Sequence, residues 1–188
     1  MISFLIGLKG CGKSTLGKEV AKLLHKEYVD TDKLIEEIYF KEKHSRYSFR
    51  EIYELEGAEK FMELEAEAYH QSIKLDKAII SCGGSLPLNK KIKFEAGKKN
   101  RKIIYIYVEK ETLRERLREN GAPAFFDPND FDGSFEKMWE ERDAAYKQVC
   151  DYIFDNSVDG VEQAKGRFYN RTVSEIMNKE IAFENVGD

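Results

Sequence analysis

This sequence predicts an α/β fold built on a mostly parallel sheet. Two observations carry that expectation. Short apolar runs alternate with longer stretches of helical periodicity along most of the 188 residues. The first run, Ile2–Ile6, leads into Gly7-Leu8-Lys9-Gly10-Cys11-Gly12-Lys13-Ser14-Thr15. That is a strand-to-helix junction of the form Gly-x-x-x-x-Gly-Lys-Ser/Thr.

The elements follow in order. After the strand Ile2–Ile6, a helix is expected from Lys13 to about His25, with Leu16, Val20, Ala21, Leu23 and Leu24 as its apolar stripe. Glu27–Asp30 reads as a short strand and Lys33–Phe40 as a short helix behind Thr31 and Asp32. Ser48-Phe49-Arg50-Glu51 has the form of a capping box, and a long helix is expected over Glu56–Leu75, broken near Gly57. Ala78–Ser81 is a buried strand ending at Gly83-Gly84, and Ile103–Val108 is another. Helices are expected from Thr112 and over Phe135–Asp151, with a last strand at Tyr152–Phe154, a turn at Asn156–Gly160 and a helix to about Met177. The segment Asn120–Gly133 holds two Pro, two Gly and three Phe between helices. It reads either as an ordinary surface loop or as a lid over a site. One domain over residues 1–180 is expected, with 181–188 as a loose tail.

The glycine-rich loop has a definite chemistry. Glycines let backbone N–H groups converge on phosphate oxygens, and Gly10 removes a further side chain from the loop. The following helix N-terminus adds a positive dipole end. Lys13 would reach the β- and γ-phosphates and the Ser14 hydroxyl would ligate Mg²⁺. Nucleoside triphosphate binding is therefore expected at Gly10, Cys11, Gly12, Lys13, Ser14 and Thr15.

Composition narrows the class. Charged residues make up 35% of the chain and the net charge is −4, with no basic tract that would mark a nucleic-acid binder. No apolar run approaches a membrane span, and Met1 leads directly into the first strand without a signal-peptide pattern. Cys11, Cys82 and Cys150 are scattered and odd in number, which suits a reducing cytoplasm. His25, His44 and His70 lack metal-ligand spacing and are expected at the surface.

Other segments bear candidate chemistry. Asp30-Thr31-Asp32 ends the second strand, at the sheet edge where α/β proteins bind ligands. Its carboxylates suit metal holding and activation of a hydroxyl, and they equally suit capping of the next helix. Ser81-Cys82-Gly83-Gly84-Ser85 is either a plain turn or a strand end that admits close ligand approach. Arg114, Arg116 and Arg118 share a charged helix, and Arg114 is expected on its solvated face.

Together these segments resemble the shikimate kinase family. Phe4-Leu5-Ile6-Gly7-Leu8 into Gly10-x-Gly12-Lys13-Ser14-Thr15-Leu16-Gly17 is similar to that family's opening. Tyr28-Val29-Asp30-Thr31-Asp32 with Ile35-Glu36 resembles its Asp-Thr/Ser-Asp motif. Glu56-Gly57, Phe61 and Glu65 are similar to its Gly-Glu-x-x-Phe-Arg-x-x-Glu stretch. Cys82-Gly83-Gly84-Ser85 resembles its triple-glycine turn, and Glu141-Arg142 with Tyr146 its Arg-x-x-x-Tyr helix. The likeness is collinear over roughly residues 2–160.

The resemblance implies a P-loop, NMP-kinase-like three-layer sandwich with a five-stranded parallel sheet and a lid at about 120–133. It implies ATP and Mg²⁺, with Ser14 on the metal and Asp30 holding it through water. Asp32 would contact and activate the acceptor hydroxyl. Gly83 and Gly84 would offer backbone contacts to the acceptor, and Arg142 would pair with its carboxylate. Arg116 would stack on adenine, and Asn156 would open the adenine loop.

The chain departs from the family at three places. Met62 stands where an arginine grips the acceptor carboxylate, Ala122 where a lid arginine touches the transferred phosphate, and Ser85 at the third glycine. The lid instead carries Asp127, Asp130 and Asp132, which would repel an anionic acceptor. The reading that results is an ATP- and Mg²⁺-dependent, monomeric, cytoplasmic phosphotransferase acting on a small-molecule hydroxyl, with shikimate to shikimate 3-phosphate as the leading reaction. The alternatives are a kinase for another polyol, sugar acid or nucleoside, and a nucleotide-binding regulatory protein without transferase activity.

Overall fold

The computed structural model describes residues 1–98, 100–157 and 161–184, with residues 161, 162 and 175–184 as backbone alone. Five parallel strands form one sheet: β1 (Ile2–Ile6), β2 (Glu27–Asp30), β3 (Ala78–Ser81), β4 (Arg101–Tyr107) and β5 (Tyr152–Asp155). Their order across the sheet is β2-β3-β1-β4-β5. The helices are α1 (Lys13–Leu23), α2 (Thr31–Lys43), α3 (Phe49–Ser72), α4 (Lys110–Asn120), α5 (Phe131–Val149) and α6 (Val161–Glu184), with a 3-10 turn at Leu86–Leu88.

The central strands are buried on both faces. β1 and β3 are buried throughout, which explains why Ile-Ser-Phe-Leu-Ile and Ala-Ile-Ile-Ser are unbroken apolar runs rather than alternating ones. Leu5 and Asp30 both pair in register with Ser81. That register brings the carboxyl ends of three strands to one level, and the candidate site lies just beyond it. α1 packs on β2 and β3 and against α6, whose Phe168 meets Phe154 of β5 edge-on at 4.9 Å. α2 and α3 pack on each other around Ile35, Ile38, Ile52, Phe61 and Leu64, forming a second apolar cluster beside the main core.

Several boundaries differ from the sequence reading. α3 starts at Phe49, directly behind a complete capping box between Ser48 and Glu51. At Gly57 the backbone leaves helical geometry (φ 78°, ψ 175°), so α3 is two helices meeting at a kink, the break expected there from sequence. α5 begins at Phe131 because Asp130 caps it, accepting from the Gly133 N–H at 2.8 Å. That leaves 121–130 as the connecting segment. α6 runs to Glu184, four residues into the stretch expected as tail. Residues 158–160, in the expected turn, and 185–188 lie outside the described residues. Arg114, expected in solvent, is largely buried: it pairs with Glu136 and lies 4.8 Å from the Phe135 ring centre.

Asp151 ties the far edge of the sheet together. Its carboxylate accepts from the N–H of Ile103 at 2.7 Å and of Gly97 at 2.9 Å. Asp151→Ala leaves the part-buried Ile103 N–H unpaired and is expected to destabilise the fold by about 1–3 kcal/mol. The measure is a lowered urea midpoint at unchanged m-value.

Candidate active site

Gly7, Gly10 and Gly12 all adopt positive φ, at 149°, 82° and 97°. A Cβ on Gly7 would fall 2.6 Å from the Ile106 carbonyl oxygen, so this close approach needs glycine. Gly12 sits at the N-cap of α1, which has no side-chain cap and no acidic residue in its first turn. The helix therefore presents uncompensated N–H groups and a positive dipole end at the loop, which suits a phosphate anion. The Lys13 ammonium lies folded over the loop, donating to the Gly7 carbonyl at 2.8 Å and the Leu8 carbonyl at 3.1 Å.

Asn156 braces this loop from the opposite side. Its side-chain amide donates to the Cys11 carbonyl at 2.9 Å, and the residue is buried. Its backbone carbonyl and that of Ser157 accept from Arg116 at 3.0 and 3.2 Å. The structure thus joins Arg116 and Asn156 to each other and to the phosphate loop. The sequence reading assigned Asn156 to the adenine loop; its amide is committed to the backbone at Cys11.

The metal candidates also meet. The Tyr28 hydroxyl sits among the side chains of Ser14, Ser81 and Asp30, with the Asp30 contact at 3.4 Å. One Asp30 oxygen caps α2, accepting from the Asp32 N–H at 3.0 Å. Capping uses one oxygen only; the other faces the Tyr28 hydroxyl, so the capping role leaves room for a metal-holding one. A hydroxyl and a carboxylate beside a phosphate loop fit Mg²⁺, which keeps most of its waters and takes few protein ligands. No cluster of three His, Cys, Asp or Glu that could hold a metal unaided occurs among the described residues.

Asp32 is half-buried on the first turn of α2, against the turn after β3. A Cβ on Gly83 would lie 2.5 Å from Asp32 Oδ1, and the Gly83 N–H donates to the Thr31 hydroxyl at 2.8 Å. Burial, then the neighbouring Asp30, push the Asp32 carboxyl up to about 7; the Lys13 ammonium opposes the rise. This value suits a group that exchanges a proton near neutrality.

Arg142 reaches the same turn from α5. A Cβ on Gly84 would lie 2.6 Å from its guanidinium, and the adjacent Tyr146 donates to the Gly84 carbonyl at 2.7 Å. The exposed ring of Phe125, from the segment before α5, sits 4.8 Å from the guanidinium carbon. Arg142 makes no ion pair among the described residues. Behind it, buried Glu65 accepts from Ser85 at 2.5 Å and Asn89 at 3.1 Å. Burial raises the Glu65 carboxyl, and these hydrogen bonds and Arg142 hold it back. Ser85, one of the three departures, is spent on this contact.

The aspartates of the 120–133 segment are exposed and partly engaged. Asp130 caps α5, Asp132 pairs with Arg118 at 2.7 Å, and Asp127 accepts from the Asn129 N–H at 2.8 Å. Of the three, only Asp132 is paired with a cation among the described residues, so the segment keeps a net negative charge toward solvent. The sequence reading names Thr31 and Tyr28 as members of the Asp-Thr-Asp motif without a contact of their own, and Phe125 only as part of the loop. Phe125 gave no local signal, since its partner lies on another helix.

A five-stranded parallel sheet of order 2-3-1-4-5, a phosphate loop after its central strand, and a carboxylate and an arginine facing each other across a glycine turn define a P-loop small-molecule kinase, ATP-dependent by class. A family model described as shikimate kinase matches residues 9–179. The shikimate kinase of Bacillus mycoides is 31% identical over 176 residues, covering 94% of this chain and 93% of that protein. The enzyme of Clostridium botulinum is 32% identical over 166 residues, covering 85% and 93%. The chain belongs to the shikimate kinase family. The crystal structure of shikimate kinase from Bacteroides thetaiotaomicron superimposes with a TM-score of 0.71 at 25% identity, covering 95% of this chain and 98% of that one. The Acinetobacter baumannii enzyme in complex with shikimate shares the fold, with a TM-score of 0.73 at 21% identity over 93% of both chains. No helix among the described residues is long and apolar enough to cross a membrane.

Proposed function

We propose that this protein transfers the γ-phosphoryl group of ATP to a ring hydroxyl of shikimate, giving ADP and shikimate 3-phosphate. The observation that carries the reading is the placement of Asp32 and Arg142 against the two glycines of one turn, beside the phosphate loop. Shikimate has a carboxylate at one end of its ring and hydroxyls at the other. Arg142 would bind the carboxylate through charge-assisted hydrogen bonds while Asp32 receives a hydroxyl. The relatives named above act as shikimate kinases, which supports this choice of acceptor.

The chain's own residues would then act as follows. The loop amides and the open N-terminus of α1 hold the phosphates, and Lys13 leaves the Gly7 and Leu8 carbonyls for the β- and γ-oxygens. Ser14 and Asp30 would hold Mg²⁺, which neutralises phosphate charge when it enters with ATP. Asp32 accepts the proton of the acceptor hydroxyl as the new O–P bond forms and the bond to the β-phosphate oxygen breaks. Arg116 and Asn156 fix the rear of the loop so that the phosphates stay aligned. The protein is proposed to work as a cytoplasmic monomer.

The test is turnover of shikimate with ATP and Mg²⁺, followed by ADP release. Turnover of the ordinary order of 1–100 s⁻¹ supports the assignment. Its absence, with turnover of a different polyol or sugar acid in the same assay, overturns it. Loss of one charged hydrogen-bond partner is worth about 1.5–3 kcal/mol, so Arg142→Ala is expected to raise the KM for shikimate roughly ten- to hundredfold. The KM for ATP should hold steady, and equal rises in both would place Arg142 outside the acceptor site.

A further inference from the structure

In phosphoryl transfer negative charge is spread over three equatorial oxygens and the leaving oxygen, and proteins meet it with fixed cations. In this chain the segment 121–133, which lies nearest the site as a candidate lid, contains no lysine or arginine. Arg142 is assigned to the acceptor carboxylate at the Gly83–Gly84 turn, and Arg116 is held by two loop carbonyls. A lysine within the phosphate loop itself is placed differently. Lys9 directly follows Leu8, whose carbonyl receives the Lys13 ammonium at 3.1 Å, so the backbone of Lys9 flanks the place where Lys13 meets the phosphates. Its own ammonium is partly buried and donates to the Ala122 carbonyl at 2.6 Å, across the cleft at the base of the segment.

That partner is neutral, and Lys9 makes no ion pair among the described residues. Burial and the charge of nearby Arg50 both weigh against its ammonium, lowering its pKa. A half-buried cation facing another cation and a lone carbonyl is under-compensated until an anion arrives. The unbranched four-carbon stem of lysine lets the ammonium swing between two partners without moving the loop backbone.

We propose that Lys9 is a catalytic cation of this kinase, exchanging the Ala122 carbonyl for the oxygens of the transferred phosphoryl group as the 121–130 segment closes. The proposal rests on the kinase reading above but not on shikimate being the acceptor. It accounts for how a lid without basic residues can serve phosphoryl transfer: the cation comes from the loop and the lid supplies only its resting partner.

The experiment compares wild type with Lys9→Met and Lys9→Arg. With acceptor, Lys9→Met should lower kcat about 10²-fold while KM for ATP moves less than about threefold, and Lys9→Arg should restore most of the loss. A second readout needs no acceptor. Wild type should bind ADP with Mg²⁺ and aluminium fluoride, a mimic of the transferring phosphoryl group, at least tenfold more tightly than ADP with Mg²⁺. Lys9→Met should abolish that gain while leaving ADP affinity and thermal midpoint unchanged. Retention of the gain in Lys9→Met, its absence from wild type, or a kcat within threefold of wild type overturns the proposal. Failure of wild type to turn over shikimate while the aluminium fluoride gain depends on Lys9 would overturn the acceptor assignment alone.

Discussion

Lys13→Ala is expected to cut kcat/KM by roughly 10³-fold or more while leaving the protein folded. Among the described residues the Lys13 ammonium has the Gly7 and Leu8 carbonyls as its close oxygen partners, at 2.8 and 3.1 Å. Both are backbone acceptors that water can serve when the side chain is cut back, because the residue is only partly buried. The stability change should stay near about 1 kcal/mol, a shift of roughly 2–4 °C for a domain of this size. The phosphates have no such substitute. Lys13 supplies a point charge between the β- and γ-oxygens at the moment charge shifts toward the bridging oxygen, and α1 contributes only partial charges there. Calorimetric titration with ATP and a coupled assay separate the outcomes. A variant with wild-type turnover would remove this loop from the reaction altogether.

The reason this loop was legible from sequence, and much of the rest was not, is distance along the chain. Gly7 to Thr15 form one strand-to-helix junction, and every group in it is local. Strands such as Ile2–Ile6 and Ala78–Ser81 matched because burial on both faces leaves an unbroken apolar run. The break at Gly57 was legible as such, while the helical stretch before it starts at Phe49 because the Ser48–Glu51 capping box, also visible in sequence, begins it. In the 120–133 segment the charge of the aspartates was legible, but not their partners: Asp130 caps a helix, and Asp132 answers an arginine on the preceding helix. The contact of Gly83 with Thr31 spans 52 positions and that of Tyr146 with Gly84 spans 62. Only the crossing of parallel strands brings such pairs together, so residue types could suggest the partners while their geometry had to be seen. The pairing of Lys9 with Ala122 is of the same kind.

Asp32→Asn should lower turnover by about 10²–10⁴-fold, the usual contribution of a positioned general base, with little change in ATP affinity. The amide keeps the shape and can still hydrogen-bond the acceptor, but it cannot take the proton. The same substitution has a second signature that needs neither nucleotide nor metal. Burial and Asp30 raise the native carboxyl to about 7, whereas in the unfolded chain it titrates near about 4. Between those values the native state holds a proton that the unfolded state has released. Stability contributed by this group is therefore present below about pH 4 and is lost as pH rises through about 7. Asparagine carries no such linkage. The thermal midpoint of Asp32→Asn, measured without ATP or Mg²⁺, should gain on wild type from pH 4 to 7 and hold a constant lead above that range. A pH-independent difference would show that Asp32 is not perturbed in the folded protein. Equal losses of turnover and ATP affinity would instead move Asp32 from the acceptor to the metal. Because Lys13 is what restrains the rise of the Asp32 carboxyl, Lys13→Ala should push that titration to higher pH still. The two variants thus probe one coupled pair, the cation that binds the donor and the carboxylate that takes the acceptor's proton.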